Sequence, residues 1–113
     1  MKKVEAIIKP FKLDEVKEEL TKIGVSGLTL LDAKGFGNQK GHTFTSYKGS
    51  ETEIDFMPKL KLEFVISEDK LEIAIETLKK SAYTGRIGDG KIFISNIEQV
   101  IRIRTGEIDT KAI

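Results

Sequence analysis

Between residues 60 and 66 the side chains alternate without a break. Leu60, Leu62, Phe64 and Ile66 fall on one side of an extended chain, with Lys61, Glu63 and Val65 on the other. A period of two over that length commits the segment to a β-strand with one face in a core. The next residues change period. Ser67 is placed to cap a helix, Glu68 and Asp69 occupy its first turn, and Lys79 and Lys80 its last, the charge order that a helix dipole favours. Leu71, Ala74, Ile75, Leu78 and Ala82 form its apolar stripe.

The N-terminal segment follows the same order. Val4, Ala6 and Ile8 share one face of a strand from Lys3 to Lys9, with Glu5 and Lys9 opposite, and Pro10 ends it. A helix is expected from about Leu13 to Ile23, with Leu13, Val16, Leu20 and Ile23 as its stripe and Gly24 as its stop. A second strand runs from Leu28 to about Lys34, KIFIS forms a fourth after the glycine-rich TGRIGDG, and Val100–Arg104 forms a short last one. Strand, helix, strand, strand, helix, strand predicts an α+β, ferredoxin-like βαββαβ sandwich, with both helices on one face of an antiparallel sheet. Ile7, Leu31, Val65 and Phe93 then point to the uncovered face. An apolar strip of that kind usually meets another subunit.

From Gly35 to Asp55 no period holds, and Gly35, Gly37, Gly41 and Gly49 are scattered among polar residues. About twenty residues without regular structure is far beyond the usual connection in a compact domain, which marks the stretch as functional or disordered.

The whole, 113 residues, is read as one domain, residues 1–113. Nineteen Lys+Arg against eighteen Asp+Glu leave a formal charge of +1, which supplies no global field for nucleic acid or an anionic membrane. The absence of Cys removes thiolate catalysis, disulfides and Cys-based metal sites. The apolar patch near the N-terminus is short and contains Glu5, unlike a signal peptide, and no segment approaches membrane-spanning length. The expectation is a soluble, cytoplasmic protein without membrane insertion.

Gly85, four residues, Gly90 and Lys91 reproduce most of a P-loop, but Ile92 replaces the required Ser or Thr, and this turn leads from helix to strand rather than strand to helix. Two readings stay open: a backbone cradle for an anion with Lys91 adding charge, or a plain glycine turn. Arg102 and Arg104 alternate with Ile101 and Ile103, so both guanidiniums are expected on one face of a short strand. Paired guanidiniums suit phosphate oxygens, while basic residues on a sheet edge also discourage aggregation. Lys34-Gly35-Phe36-Gly37 matches the start of an RNA-recognition pattern, but Asn38-Gln39-Lys40-Gly41 breaks it and leaves no second aromatic. A small RNA-binding domain is therefore a rival reading, as is a phosphoryl-transfer enzyme using His42, the single histidine. His42 has no neighbouring carboxylate, and no pair of carboxylates stands out as acid and base. A non-enzymatic binding protein is expected.

Five blocks, KKVEAIIKPFKLDEV, KGFGNQKGHT, DFMPK, TGRIGDGKIF and VIRIRTGE, in this order resemble the PII nitrogen-regulatory signal-transduction family from Met1 to Ile113. The resemblance implies a homotrimer whose intersubunit clefts bind ATP or ADP in competition and, with Mg²⁺-ATP, 2-oxoglutarate. It implies regulation of partners, such as an ammonium transporter, nitrogen-assimilation enzymes or transcription regulators, through a mobile loop at about residues 37–55. By position, Gly88, Asp89, Gly90 and Lys91 match the phosphate turn, and Arg102 and Arg104 further phosphate contacts. Thr29, Gly35, Phe36, Gly37, Asn38, Glu63 and Val65 match positions around the nucleotide. Gln39 matches a Mg²⁺-holding side chain, and Gln39, Lys40, Gly41 and Lys59 match the 2-oxoglutarate site, with Lys59 facing the distal carboxylate.

The departures from the family pattern lie in and around the loop. Asn38 stands where the family usually has Arg, and the loop is one residue longer. Tyr47, Lys48, Gly49, Ser50 and Thr52 form the partner-facing stretch; Lys48 replaces an Arg, and Thr52 stands where many bacterial members carry the uridylylated tyrosine. Ser50 matches a serine that cyanobacterial members phosphorylate.

Overall fold

The computed structural model describes residues 1–37 and 56–113. Its regular elements are β1 (Lys2–Ile8), α1 (Leu13–Lys22), β2 (Thr29–Gly35), β3 (Met57–Ile66), α2 (Leu71–Ser81) and β4 (Lys91–Asn96). The sheet order is β2-β3-β1-β4, and every neighbouring pair is antiparallel. This is the expected ferredoxin-like architecture.

Alternation along β1 and β3 produces the core. Val4, Ala6 and Ile8 lie beside Leu62, Phe64 and Ile66 on one face and are covered by Val16 and Leu20 of α1 and Ala74 and Leu78 of α2. Each such large apolar side chain contributes roughly 1.5–3 kcal/mol when fully buried. The helix starts differ from simple capped ones. Single 3₁₀ turns, Pro10–Lys12 and Glu68–Lys70, precede α1 and α2, and Ser67 has extended backbone angles without a side-chain capping bond. Gly24, with φ +98°, closes α1, a conformation that costs glycine least.

The opposite face carries Ile7, Leu31, Val65 and Phe93, and the strand register arranges the charges between them. Glu5 pairs across the ladder with Glu63, a like-charge contact that is unfavourable by itself. Lys61 resolves it, with Nζ 2.8 Å from Glu5 Oε2 and 3.4 Å from Glu63 Oε2, while Lys3 reaches Glu63 at 3.7 Å. The Lys61 hydrogen bond holds the Glu5 carboxyl below its usual pKa. The centre of the open face thus pairs its charges, Lys59 and Lys91 lie on the same face toward the far end of β1, and Phe93 remains 52% exposed.

The C-terminal segment departs from expectation. In place of a regular strand over Val100–Arg104, one bridge joins Ile101 to Ile108. Gly106, with φ +75°, reverses the chain. The Gly106 N–H then donates to Arg102 O at 2.8 Å, and the Arg102 N–H to Glu107 O at 2.9 Å. Those backbone groups are satisfied within the reversal, so the alternation expected to put Arg102 and Arg104 on one strand face is lost. No helix among the described residues is long and apolar enough to cross a membrane.

Candidate functional site

The turn between α2 and β4 is organised around one carboxylate. Asp89 Oδ2 accepts the Thr84 N–H at 2.8 Å and the Gly85 N–H at 2.9 Å, and Asp89 Oδ1 accepts the Thr84 hydroxyl. Thr84 Oγ1 in turn accepts the Arg86 N–H at 3.1 Å. Behind them Lys9, only 8% exposed, places Nζ 3.3 Å from Asp89 Oδ1 and donates to Thr84 Oγ1 at 3.1 Å. Gly85, Gly88 and Gly90 all have positive φ, the backbone freedom for which their glycines were singled out. The Thr84 and Gly85 amides, however, are occupied by Asp89. The Asp89 side chain is therefore a brace of the turn.

Burial raises the Asp89 pKa, but the Thr84 hydroxyl, the Thr84 and Gly85 amides and Lys9 outweigh it and hold the carboxyl well below the usual range. A depressed carboxyl contributes stability that is complete above its unfolded pKa, near 3.8, and is lost only as pH falls through the lower folded value. Asp89→Asn should therefore melt lower than wild type at pH 7, and the gap should narrow below about pH 4. Thermal unfolding of both proteins from pH 7 to pH 2.5 checks this; a gap that widens on acidification contradicts it.

This turn walls a cleft of about 550 Å³ that Gly35, Phe36 and Gly37 at the end of β2, Lys59 of β3, and Gly88, Asp89, Gly90 and Lys91 also line. Lys59 Nζ donates to Gly88 O at 2.7 Å. Burial, then the charge of Lys9, lowers the Lys59 pKa, with Asp89 acting the other way. A cationic group so placed gains from an anion. The donor chemistry fits a polyphosphate or carboxylate: ammonium groups and glycine backbone line the cleft, and the nearby carboxylate is paired with Thr84 and Lys9. At its rim Phe36 meets Phe56 edge to face, with centroids 5.3 Å apart and planes at 83°. The RNA-recognition comparison did not anticipate this second aromatic, yet perpendicular rings give no platform of parallel faces for successive bases.

Thr29, Glu63, Val65 and Arg102 line a different cleft, of about 950 Å³, together with Lys3 and the C-terminal Thr110, Ala112 and Ile113. Thr29 and Gly35 are at opposite ends of β2, a separation of about 20 Å along an extended strand. One chain thus divides the nucleotide-site candidates between two surfaces. Arg104 lines neither cleft, and Arg102 is 3.7 Å from Glu107. Asn38, Gln39, Lys40, Gly41, His42, Tyr47, Lys48, Gly49, Ser50 and Thr52 lie outside the described residues.

Lys9 and Thr84 were missed by sequence reasoning. Alternation put Lys9 beside Glu5 on the polar face, but β1 ends at Ile8, and beyond the strand the period no longer says where a side chain goes. Thr84 carried a weak signal, a hydroxyl at the mouth of a glycine turn containing an Asp.

The family model for "Nitrogen regulatory protein P-II" matches residues 1–107. Curated relatives bearing that name include one from Mesorhizobium japonicum, 62% identical over 113 residues and 100% of both chains. Another, from Rhodospirillum rubrum, is 63% identical over 107 residues, 95% of each chain. A third, from Klebsiella oxytoca, is 53% identical over 113 residues, again 100% of both chains.

Proposed function

Because the chain belongs to the nitrogen regulatory protein P-II family, and so to regulators of nitrogen signalling that act on partners, we propose that it is a cytoplasmic, non-enzymatic, single-domain sensor of adenine nucleotide and a small dicarboxylate. ATP and ADP compete for one pocket. Gly88–Lys91 receive the phosphates, Thr29, Gly35, Phe36, Gly37, Asn38, Glu63 and Val65 surround the nucleotide, and Arg102 and Arg104 complete the anion contacts. With ATP bound, Mg²⁺ supplies a positive charge on the phosphate oxygens, and Gln39 would help hold it. 2-Oxoglutarate then engages Lys59 and the backbone from Gln39 to Gly41. The observation that carries this reading is the braced glycine turn facing Lys59 and Lys91 in one cleft.

The pocket is completed between copies of the chain. The separation of the two clefts supports this, because a neighbouring copy can bring Thr29, Glu63, Val65 and Arg102 opposite a Gly88–Lys91 turn that a single chain keeps apart from them. The sheet face left open by the helices supports self-association, since its apolar residues lie beside carboxylates already paired with Lys3 and Lys61. A homotrimer is the assembly proposed.

Signalling is a population shift of residues 37–55 and requires that effectors bind the states of that segment unequally. Lys59 lies on β3 four residues beyond the segment's C-terminal end, and Gly35–Gly37 stand at its start, so the effectors touch its base. Partner classes are an ammonium transporter, nitrogen-assimilation enzymes and transcription regulators; Thr52 removes the tyrosine that uridylylation would need. The test is capture of partners from host lysate on the immobilised protein, with ADP or with ATP, Mg²⁺ and 2-oxoglutarate. Different captured proteins under the two conditions are expected, and identical sets overturn the sensor reading.

A further inference from the structure

We propose that Lys9 is a positioning residue of the phosphate turn: clamped on Asp89 and Thr84 from behind, its ammonium sets the conformation in which the Gly88–Lys91 backbone meets an anion. The inference rests on the nucleotide-binding reading above and assigns part of that site's precision to a side chain that lies behind the turn.

Lys9 and Ser81 are the buried polar or charged residues among those described. A lysine is rarely buried unless paired, and here both partners of the ammonium belong to one turn: Asp89 Oδ1 at 3.3 Å and Thr84 Oγ1 at 3.1 Å. Two of the turn's backbone amides end on the same carboxylate, so Lys9, Asp89, Thr84 and the main chain form one connected network. The preceding residues of β1 hold the other end of the turn. The Gly90 Cα packs so closely on the Ile7 carbonyl that a Cβ would lie 1.6 Å from its oxygen. The turn is therefore fixed at two points, Ile7 O of β1 and Lys9 Nζ just past its end, on either side of Ile8. Preorganised backbone donors bind an anion better than donors that must first be ordered.

A purely structural ion pair and a long-range charge effect are the competing explanations, and two variants separate them from positioning. Lys9→Met removes a positive charge, so both positioning and bulk electrostatics have it weaken ATP binding. Asp89→Asn removes a negative charge close to the phosphates. Electrostatics alone then tightens ATP binding, whereas loss of the brace weakens it.

The experiment is calorimetric titration of ATP with Mg²⁺ into wild type, Lys9→Met, Lys9→Arg and Asp89→Asn, at a temperature where circular dichroism shows each folded. Positioning predicts at least tenfold weaker binding for Lys9→Met and for Asp89→Asn, and partial recovery in Lys9→Arg. Lys9→Met within twofold of wild type, or Asp89→Asn unchanged or tighter, overturns the inference. If Lys9→Met does not fold, the direction of the Asp89→Asn change decides. Absence of ATP binding by wild type would instead remove the proposed function, and with it this inference.

Discussion

Gly90→Ala is expected to lose about 3 kcal/mol of stability or more, the sum of roughly 1–2 kcal/mol for a side chain in the left-handed region and 1–3 kcal/mol for overpacking. Gly90 has φ +101°, and an added Cβ would lie 1.6 Å from Ile7 O and 2.7 Å from Ile7 C. The obstacle is backbone of the central strand, which pairs with Lys91 at this point, so relief requires β1 and β4 to separate locally. Neither a rotamer change nor a flexible tip offers an easier route. In a chain of this size the loss corresponds to a fall in Tm of more than about 10 °C. Thermal unfolding at matched protein concentration measures it, because assembly makes Tm concentration-dependent. Gly27→Ala is the control: nothing lies within 4 Å of its Cβ and its φ is not in the left-handed region, so its change should stay within about 1 kcal/mol. A Gly90→Ala protein as stable as Gly27→Ala would contradict the close approach of turn and strand.

Lys59→Ala should abolish 2-oxoglutarate binding and leave ATP binding within a few fold of wild type. Truncating one partner of a desolvated charge pair costs about 2–5 kcal/mol, and the middle of that range is more than a hundredfold in Kd. Lys59 is the cation on β3 that both lines the cleft and bonds the turn, through Gly88 O at 2.7 Å. Its burial beside Lys9 lowers its pKa, the situation in which a bound carboxylate is most favourable to it. ATP is less affected, since the turn keeps its Asp89 brace and Lys91. Titration of the acid into protein saturated with Mg²⁺-ATP measures the effect. Heats unchanged from wild type would remove Lys59 from the acid site.

The strands and their buried faces were legible in the sequence because β1 and β3 alternate, and Val4, Ala6, Ile8, Leu62, Phe64 and Ile66 are buried as that alternation requires. The helices were legible from their stripes; α1 begins at Leu13 as expected, whereas a 3₁₀ entry turn displaced the start of α2 from the simple cap at Ser67. The C-terminal strand was not, because the alternation of Ile101, Arg102, Ile103 and Arg104 carries no information about Gly106, which turns the chain back on itself. At the site, glycine spacing marked the turn and its positive φ values. The use of Asp89 as a brace could not be read from it, since that depends on Lys9, just past the end of a strand about eighty residues earlier. Long-range pairs such as Lys9–Asp89 and Phe36–Phe56 arise from topology, and local periodicity is silent about them.

The account depends most on adenine nucleotide entering the cleft beneath the Gly88–Lys91 turn. Calorimetric titration of the purified wild-type protein with ATP, then with ADP, tests it most directly. Saturable binding of each, with one site per chain and each displacing the other, is the predicted result. No uptake of either nucleotide by folded protein would contradict the account at its centre.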